Sequence, residues 1–230
     1  MSDETTHIQA YDTTLRDGTQ GEGVSFSVDE KLAVAQRLDQ LGFHYIEGGW
    51  PGSNPKDEEF FGRAGQLQLK HARLVAFGST CHPKNQVESD PNLAKLVEAK
   101  TPTVTIFGKS WTLHVERALG ISKEANLELI RASVAFLKAQ GREVIYDAEH
   151  FFDGYAADPE YALETIAAAE TAGADTIVLC DTNGGSLPGF VETATRAARA
   201  KIKARLGIHT HNDCDLAVAK IGRASCRERV

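Results

Sequence analysis

The alternation of strand-like and helix-like segments along this chain narrows what it can fold into more than any other feature. The pattern predicts a strand over Ile8 to Thr13, then a helix over Val28 to Leu41, where Leu32, Val34, Ala35, Leu38 and Leu41 recur at helical spacing. Ser27-Val28-Asp29-Glu30 has the serine-x-x-glutamate form that caps a helix start. Further strands are expected over Phe43 to Glu47, Ala72 to Gly78, Thr103 to Gly108, Glu143 to Asp147, Asp175 to Cys180 and Leu206 to Thr210. Helices are expected over Asp57 to Leu69, Asp90 to Lys100, Ser122 to Gln140, Pro159 to Thr171 and Pro188 to Lys203, with one more starting at Asn212. Strand and helix alternating in units of about 30 residues predict parallel strands with helices packed outside them.

That places the chain in the α/β class and favours a TIM-type (β/α)8 barrel. Such a barrel takes about 250 residues. The 230 residues here hold seven strand–helix units, so the expected barrel is incomplete. A doubly wound open sheet is the alternative, but no GxGxxG follows the first strand. Charge and composition exclude other classes. A net charge of −7 with no basic run gives no nucleic-acid partner. No apolar stretch approaches the roughly 20 residues of a membrane span, and the acidic Met1-Ser2-Asp3-Glu4 is unlike a signal peptide. Cys81, Cys180, Cys214 and Cys226 form no CxxC pair and read as reduced thiols of a cytoplasmic protein.

Two short motifs carry the chemistry. Asp12-Thr13-Thr14-Leu15-Arg16-Asp17-Gly18-Thr19-Gln20 follows the first strand, and His209-Thr210-His211-Asn212-Asp213 ends the seventh. Strand residues alternate faces, so His209 and His211 project to one side. Two such histidines and one carboxylate from elsewhere make an N,N,O site for a divalent metal. Arg16 would set a fixed cation beside it, which suits a reaction in which an oxygen becomes an anion. By itself the Arg16–Asp17 pair reads equally well as a loop salt bridge. His82 and His114 are expected as pocket neighbours, and His44, His71 and His150 as surface or loop residues. Glu149, after the fifth strand, is either a solvated loop acid or a carboxylate placed for proton traffic. Asp181-Thr182-Asn183-Gly184-Gly185 reads as a turn, or as a hydroxyl and backbone amides offered to a substrate carboxylate. Glu47-Gly48-Gly49-Trp50-Pro51-Gly52 reads as a stiff turn in preference to a direct catalytic role for Glu47.

Together these segments resemble the 2-isopropylmalate synthase and homocitrate synthase family, metal-dependent enzymes that condense acetyl-CoA with a 2-oxo acid on a TIM barrel. Glu47 to Asp57 and Asp147-Ala148-Glu149-His150-Phe151-Phe152-Asp153-Gly154 look like its (R)-citramalate synthase branch, whose oxo acid is pyruvate and whose product leads to isoleucine. The resemblance implies that Asp17, His209 and His211 bind the metal, Mg2+ or Mn2+ with Zn2+ the alternative. It implies that Arg16 stabilises the reacting oxygen, that Gln20 and Thr182 bind substrate, and that Glu149 positions substrate or moves a proton. Acetyl-CoA and the oxo acid would be the small-molecule partners, and the full-length protein a homodimer.

Three alternatives stand beside this reading. One is a 2-isopropylmalate synthase acting on 2-oxoisovalerate. The second is a hydroxymethylglutaryl-CoA lyase type of enzyme, against which Thr19 in the arginine-aspartate-glycine loop argues. The third is an inactive truncated fragment. The resemblance runs from about Ile8 to Lys220, so residues 1–220 are expected to form one partial-barrel catalytic domain. The last ten residues, Ile221-Gly222-Arg223-Ala224-Ser225-Cys226-Arg227-Glu228-Arg229-Val230, have poor amphipathic spacing and are expected to be a non-native tail.

Overall fold

The computed structural model describes residues 8–225. The acidic amino terminus, Cys226 and the rest of the final five residues lie outside the described residues. The strands follow one another in chain order, from β1 to β7. They are β1 (Tyr11–Asp12), β2 (Tyr45–Gly49), β3 (Arg73–Ser79), β4 (Thr103–Lys109), β5 (Glu143–Glu149), β6 (Thr176–Asp181) and β7 (Arg205–Thr210). Parallel strands in sequence order with helices between them are the α/β, TIM-type architecture the alternation predicts, with seven strands among the described residues. Two compact units divide the chain, residues 1–78 with 94–104 and residues 79–93 with 105–230.

In the first unit, β1, β2 and β3 pair in parallel, with Tyr11 opposite Tyr45 and Ile46 opposite Leu74. β1 is shorter than the Ile8 to Thr13 strand expected. The Ala10 N–H is taken by the His44 ring Nδ1 at 3.0 Å, and the Thr13 carbonyl accepts from Arg16 and Gly18 in a turn. Both ends of the ladder are thus diverted. α1 (Val28–Gln40) starts with the expected capping box, Ser27 and Glu30 each accepting the other's backbone N–H. α2 (Pro55–Ala64) starts earlier than expected, because Asn54 caps it ahead of proline at the first helical position. It also stops earlier, at Gly65. α3 (Pro91–Glu98) runs from the second unit into this one.

In the second unit, β5, β6 and β7 pair in parallel, with Asp147 opposite Val178 and Cys180 opposite His209. α4 (Thr112–His114) passes into a π-helical turn at Val115–Leu119. α5 (Lys123–Ala139), α7 (Pro159–Thr171) and α8 (Pro188–Lys201) match the expected helices closely. α5 and α7 pack on β5, with Ile130, Val134, Leu137, Ala162 and Ile166 buried.

α6 (Phe151–Ala157) lies where the sequence suggested only a loop after the fifth strand. It buries Phe151 and Phe152 completely. A side chain at Gly154 would strike the Ser110 carbonyl oxygen at 2.3 Å, so this approach admits only glycine. α9 (Ala217–Ser225) runs through Lys220 and into the segment read as a tail. No helix of the described residues is long and apolar enough to cross a membrane.

Candidate active site

The first unit supplies an arginine held in one orientation. Arg16 and Asp17 follow β1, and their side chains meet at 3.1 Å. The Arg16 Nε donates to Glu47 Oε1 at 2.5 Å. Glu47 is 1% exposed and accepts from the Tyr11 hydroxyl through its other oxygen at 2.6 Å. The guanidinium carbon lies 3.8 Å from the centre of the Phe77 ring. Two carboxylates in its plane and an aromatic face beneath it fix the guanidinium before any substrate arrives. Glu47 is therefore not part of a stiff turn. It is a buried strand residue of β2 that orients Arg16. Asp17 leads into the short 3-10 turn Gly18–Gln20, on which Gln20 is exposed.

The second unit supplies groups from the ends of β4 to β7. Glu149 is the last residue of β5, not a loop residue beyond it, and its carboxylate is paired with the Lys109 ammonium at the end of β4. Thr182 follows β6, and its hydroxyl oxygen accepts the His150 backbone N–H at 2.9 Å. That bond uses the oxygen as acceptor and leaves the hydroxyl hydrogen as a donor for a ligand. His150 holds the left-handed conformation at φ 53° that turns the chain from β5 into α6. Its ring meets Asp153 at 3.0 Å, and Asp153 also accepts from the Asn183 side chain at 3.1 Å. His150 is thus a turn residue, within the surface-or-loop reading, and part of the scaffold that ties α6 to the Thr182 turn.

His114 packs edge-on to His150 with ring centres 4.6 Å apart. Burial, then His150 and the Lys109 ammonium, hold its imidazole below the ordinary histidine pKa. His82 has a local role, accepting the Lys84 backbone N–H. Under the Thr182 turn, Lys220 and Asp181 form a fully buried ion pair at 2.5 Å, and the same ammonium donates to the Gly184 carbonyl at 2.6 Å. Gly184 has φ 66°, and a side chain there would meet the Asp213 carboxylate at 2.4 Å. Lys109 and Lys220 carry no local signal in the sequence; Glu47 reads there as part of a turn, and His150 as a surface or loop residue.

His209, in β7, and His211, just past it, have ring centres 5.1 Å apart. Two imidazoles on one ion, each about 2.1 Å from it and about 90–110° apart, have ring centres separated by roughly 4.6–5.3 Å. The ring-centre spacing of the pair is that of two imidazoles on a shared divalent cation.

A family model described as HMGL-like matches residues 7–225. The chain is 54% identical over 213 residues to the (R)-citramalate synthase of Aquifex aeolicus (strain VF5), covering 92% of this chain and 40% of that protein. It is 55% identical over 212 residues to the (R)-citramalate synthase of Geobacter sulfurreducens, with the same coverage. A 2-isopropylmalate synthase of Xanthomonas oryzae pv. oryzae is 33% identical over 223 residues, covering 95% of this chain and 41% of that protein. The chain thus spans about 40% of the length of the curated relatives it matches. Among solved structures, a Bacillus subtilis HMG-CoA lyase aligns with a TM-score of 0.78 at 19% identity, covering 94% of this chain and 72% of that one. This last likeness bears on the fold. On the family model's span and these identities, the chain belongs to the HMGL-like family.

Proposed function

We propose that this chain carries the metal-binding and oxo-acid-binding part of an acyltransferase that condenses acetyl-CoA with pyruvate to give (R)-citramalate. The observation that carries the reading is the contrast in identity, 54–55% to two citramalate synthases against 33% to a 2-isopropylmalate synthase. In this reading Asp17, His209 and His211 hold a divalent cation, Mg2+ or Mn2+ with Zn2+ as the alternative. When bound, that ion polarises the keto carbonyl of the oxo acid. Arg16, already oriented by Glu47, donates to the carbonyl oxygen as it becomes an alkoxide. The Thr182 hydroxyl donates to the substrate carboxylate, with Gln20 as a further binding residue. Glu149, anchored by Lys109, orients the substrate or carries a proton. A reducing cytoplasmic setting accords with the free thiols Cys81, Cys180 and Cys214. The homodimer is proposed for the full-length protein.

Calorimetry on this chain with Mn2+ present tests the reading. Pyruvate is expected to bind, and to bind more tightly than 2-oxoisovalerate. Asp17→Asn is expected to lower both metal and pyruvate affinity. Preference for 2-oxoisovalerate would move the assignment to the isopropylmalate branch, and metal binding without either oxo acid would reduce the chain to a metal-binding fragment.

A further inference from the structure

Two residues earlier in the chain than Glu149, Thr182 and His211 lie Asp147 in β5, Cys180 in β6 and His209 in β7, an inner set placed back from the strand ends. Cys180 and His209 are direct partners across the β6–β7 ladder, while Asp147 comes from the neighbouring strand. One ligand atom from each of Asp147, Cys180 and His209 lies within 4.8 Å of the others. Asp147 is 7% exposed and Cys180 6%.

We propose that Asp147, Cys180 and His209 form a second, deeper metal site, selective for thiophilic divalent ions such as Zn2+. A carboxylate, a thiolate and an imidazole are zinc donors, and three of them with an open fourth position complete a tetrahedral ion. Donor atoms on such an ion lie about 3.4–3.6 Å apart, so side-chain movements of about 1 Å close the set. The thiolate is what separates this site from one for Mg2+ or Mn2+, which prefer oxygen. On coordination the Cys180 S–H, which now donates to the Val178 carbonyl, gives its proton to solvent.

His209 belongs to both donor sets. An ion in the inner set therefore takes a ligand from the set proposed for the reaction, and excess Zn2+ would compete with Mn2+. That consequence rests on the functional reading above; the inner site itself does not.

Cobalt(II) titrated into this chain is the test. Co2+ bound to a thiolate gives an intense near-ultraviolet charge-transfer band that histidine and carboxylate ligands do not give. The band is expected in the unmodified chain and in Cys214→Ser. Cys180→Ser or Cys180→Ala should remove it and weaken cobalt binding at least about tenfold, and His211→Asn should leave it. Circular dichroism checks that the variants fold, and the two replacements at Cys180 guard against one of them failing to do so. No band at saturating cobalt, or a band that survives at Cys180→Ser, overturns the proposal. A band in a chain that binds no Mn2+ upholds the inner site while counting against the functional reading.

Discussion

Replacing Lys220 by methionine removes the cation from a pair in which Lys220 is 0% and Asp181 1% exposed. At a separation of 2.5 Å and an effective dielectric of about 20, the direct attraction is about 6–7 kcal/mol. Dehydrating both charges offsets much of it. The cost of Lys220→Met is thus set less by the attraction lost than by the carboxylate left behind, which then keeps a long 3.4 Å bond from the Ser186 N–H. Removing one partner of such a pair costs about 3–5 kcal/mol, and the Gly184 carbonyl loses its charged donor as well. Urea unfolding of Lys220→Met, Asp181→Asn and the double variant measures this. Each single variant is expected to lose about 3–5 kcal/mol, and the double variant about 2 kcal/mol or more less than their sum. Additive losses would show that the two side chains do not depend on each other and would refute the reasoning. A large loss would also mark Lys220 and the helix that carries it as integral to the second unit.

Three further outcomes are expected. Glu47→Gln keeps the shape of the β2 side chain but weakens its hold on Arg16. Where turnover is measured it should fall about tenfold to a hundredfold with little change in oxo-acid KM, since Arg16 is proposed to act on the developing alkoxide. Thr182→Val should weaken pyruvate binding by roughly tenfold to a hundredfold, the worth of a hydrogen bond to a charged group, while Thr182→Ser restores it; equal affinity for Val and Ser would remove Thr182 from the substrate. For Asp39, burial works to raise the carboxyl pKa, but the backbone N–H groups of Lys70, Ala72 and His71 outweigh it and hold the pKa below the usual carboxylate value. Its stabilisation is therefore present above the unfolded-state pKa of about 3.9 and lost as pH falls through the lower folded value. Asp39→Asn should be destabilised at neutral pH and should flatten the acid limb of the stability profile; an unchanged limb would exclude Asp39 as a contributor.

What the sequence by itself determined is what a short window of chain records. The strand–helix alternation, the Ser27–Glu30 capping box, the Pro159–Thr171 helix and the shared face of His209 and His211 all follow from periods of two and 3.6 residues and from groups three or four positions apart. The Arg16–Asp17 and His209–His211 motifs were legible for the same reason, their members being adjacent or alternate. Tertiary structure alone decided the partners. Glu47 lies 31 residues from Arg16, Lys109 lies 40 from Glu149, and Lys220 lies 39 from Asp181. Each pair joins different elements, and nothing local to either residue marks its mate. The helix after β5 was hidden in a related way. It begins at His150 in a left-handed conformation with no side-chain cap. What holds it is the burial of Phe151 and Phe152 and the close approach of Gly154 to Ser110, neither of which exists until the strands have assembled.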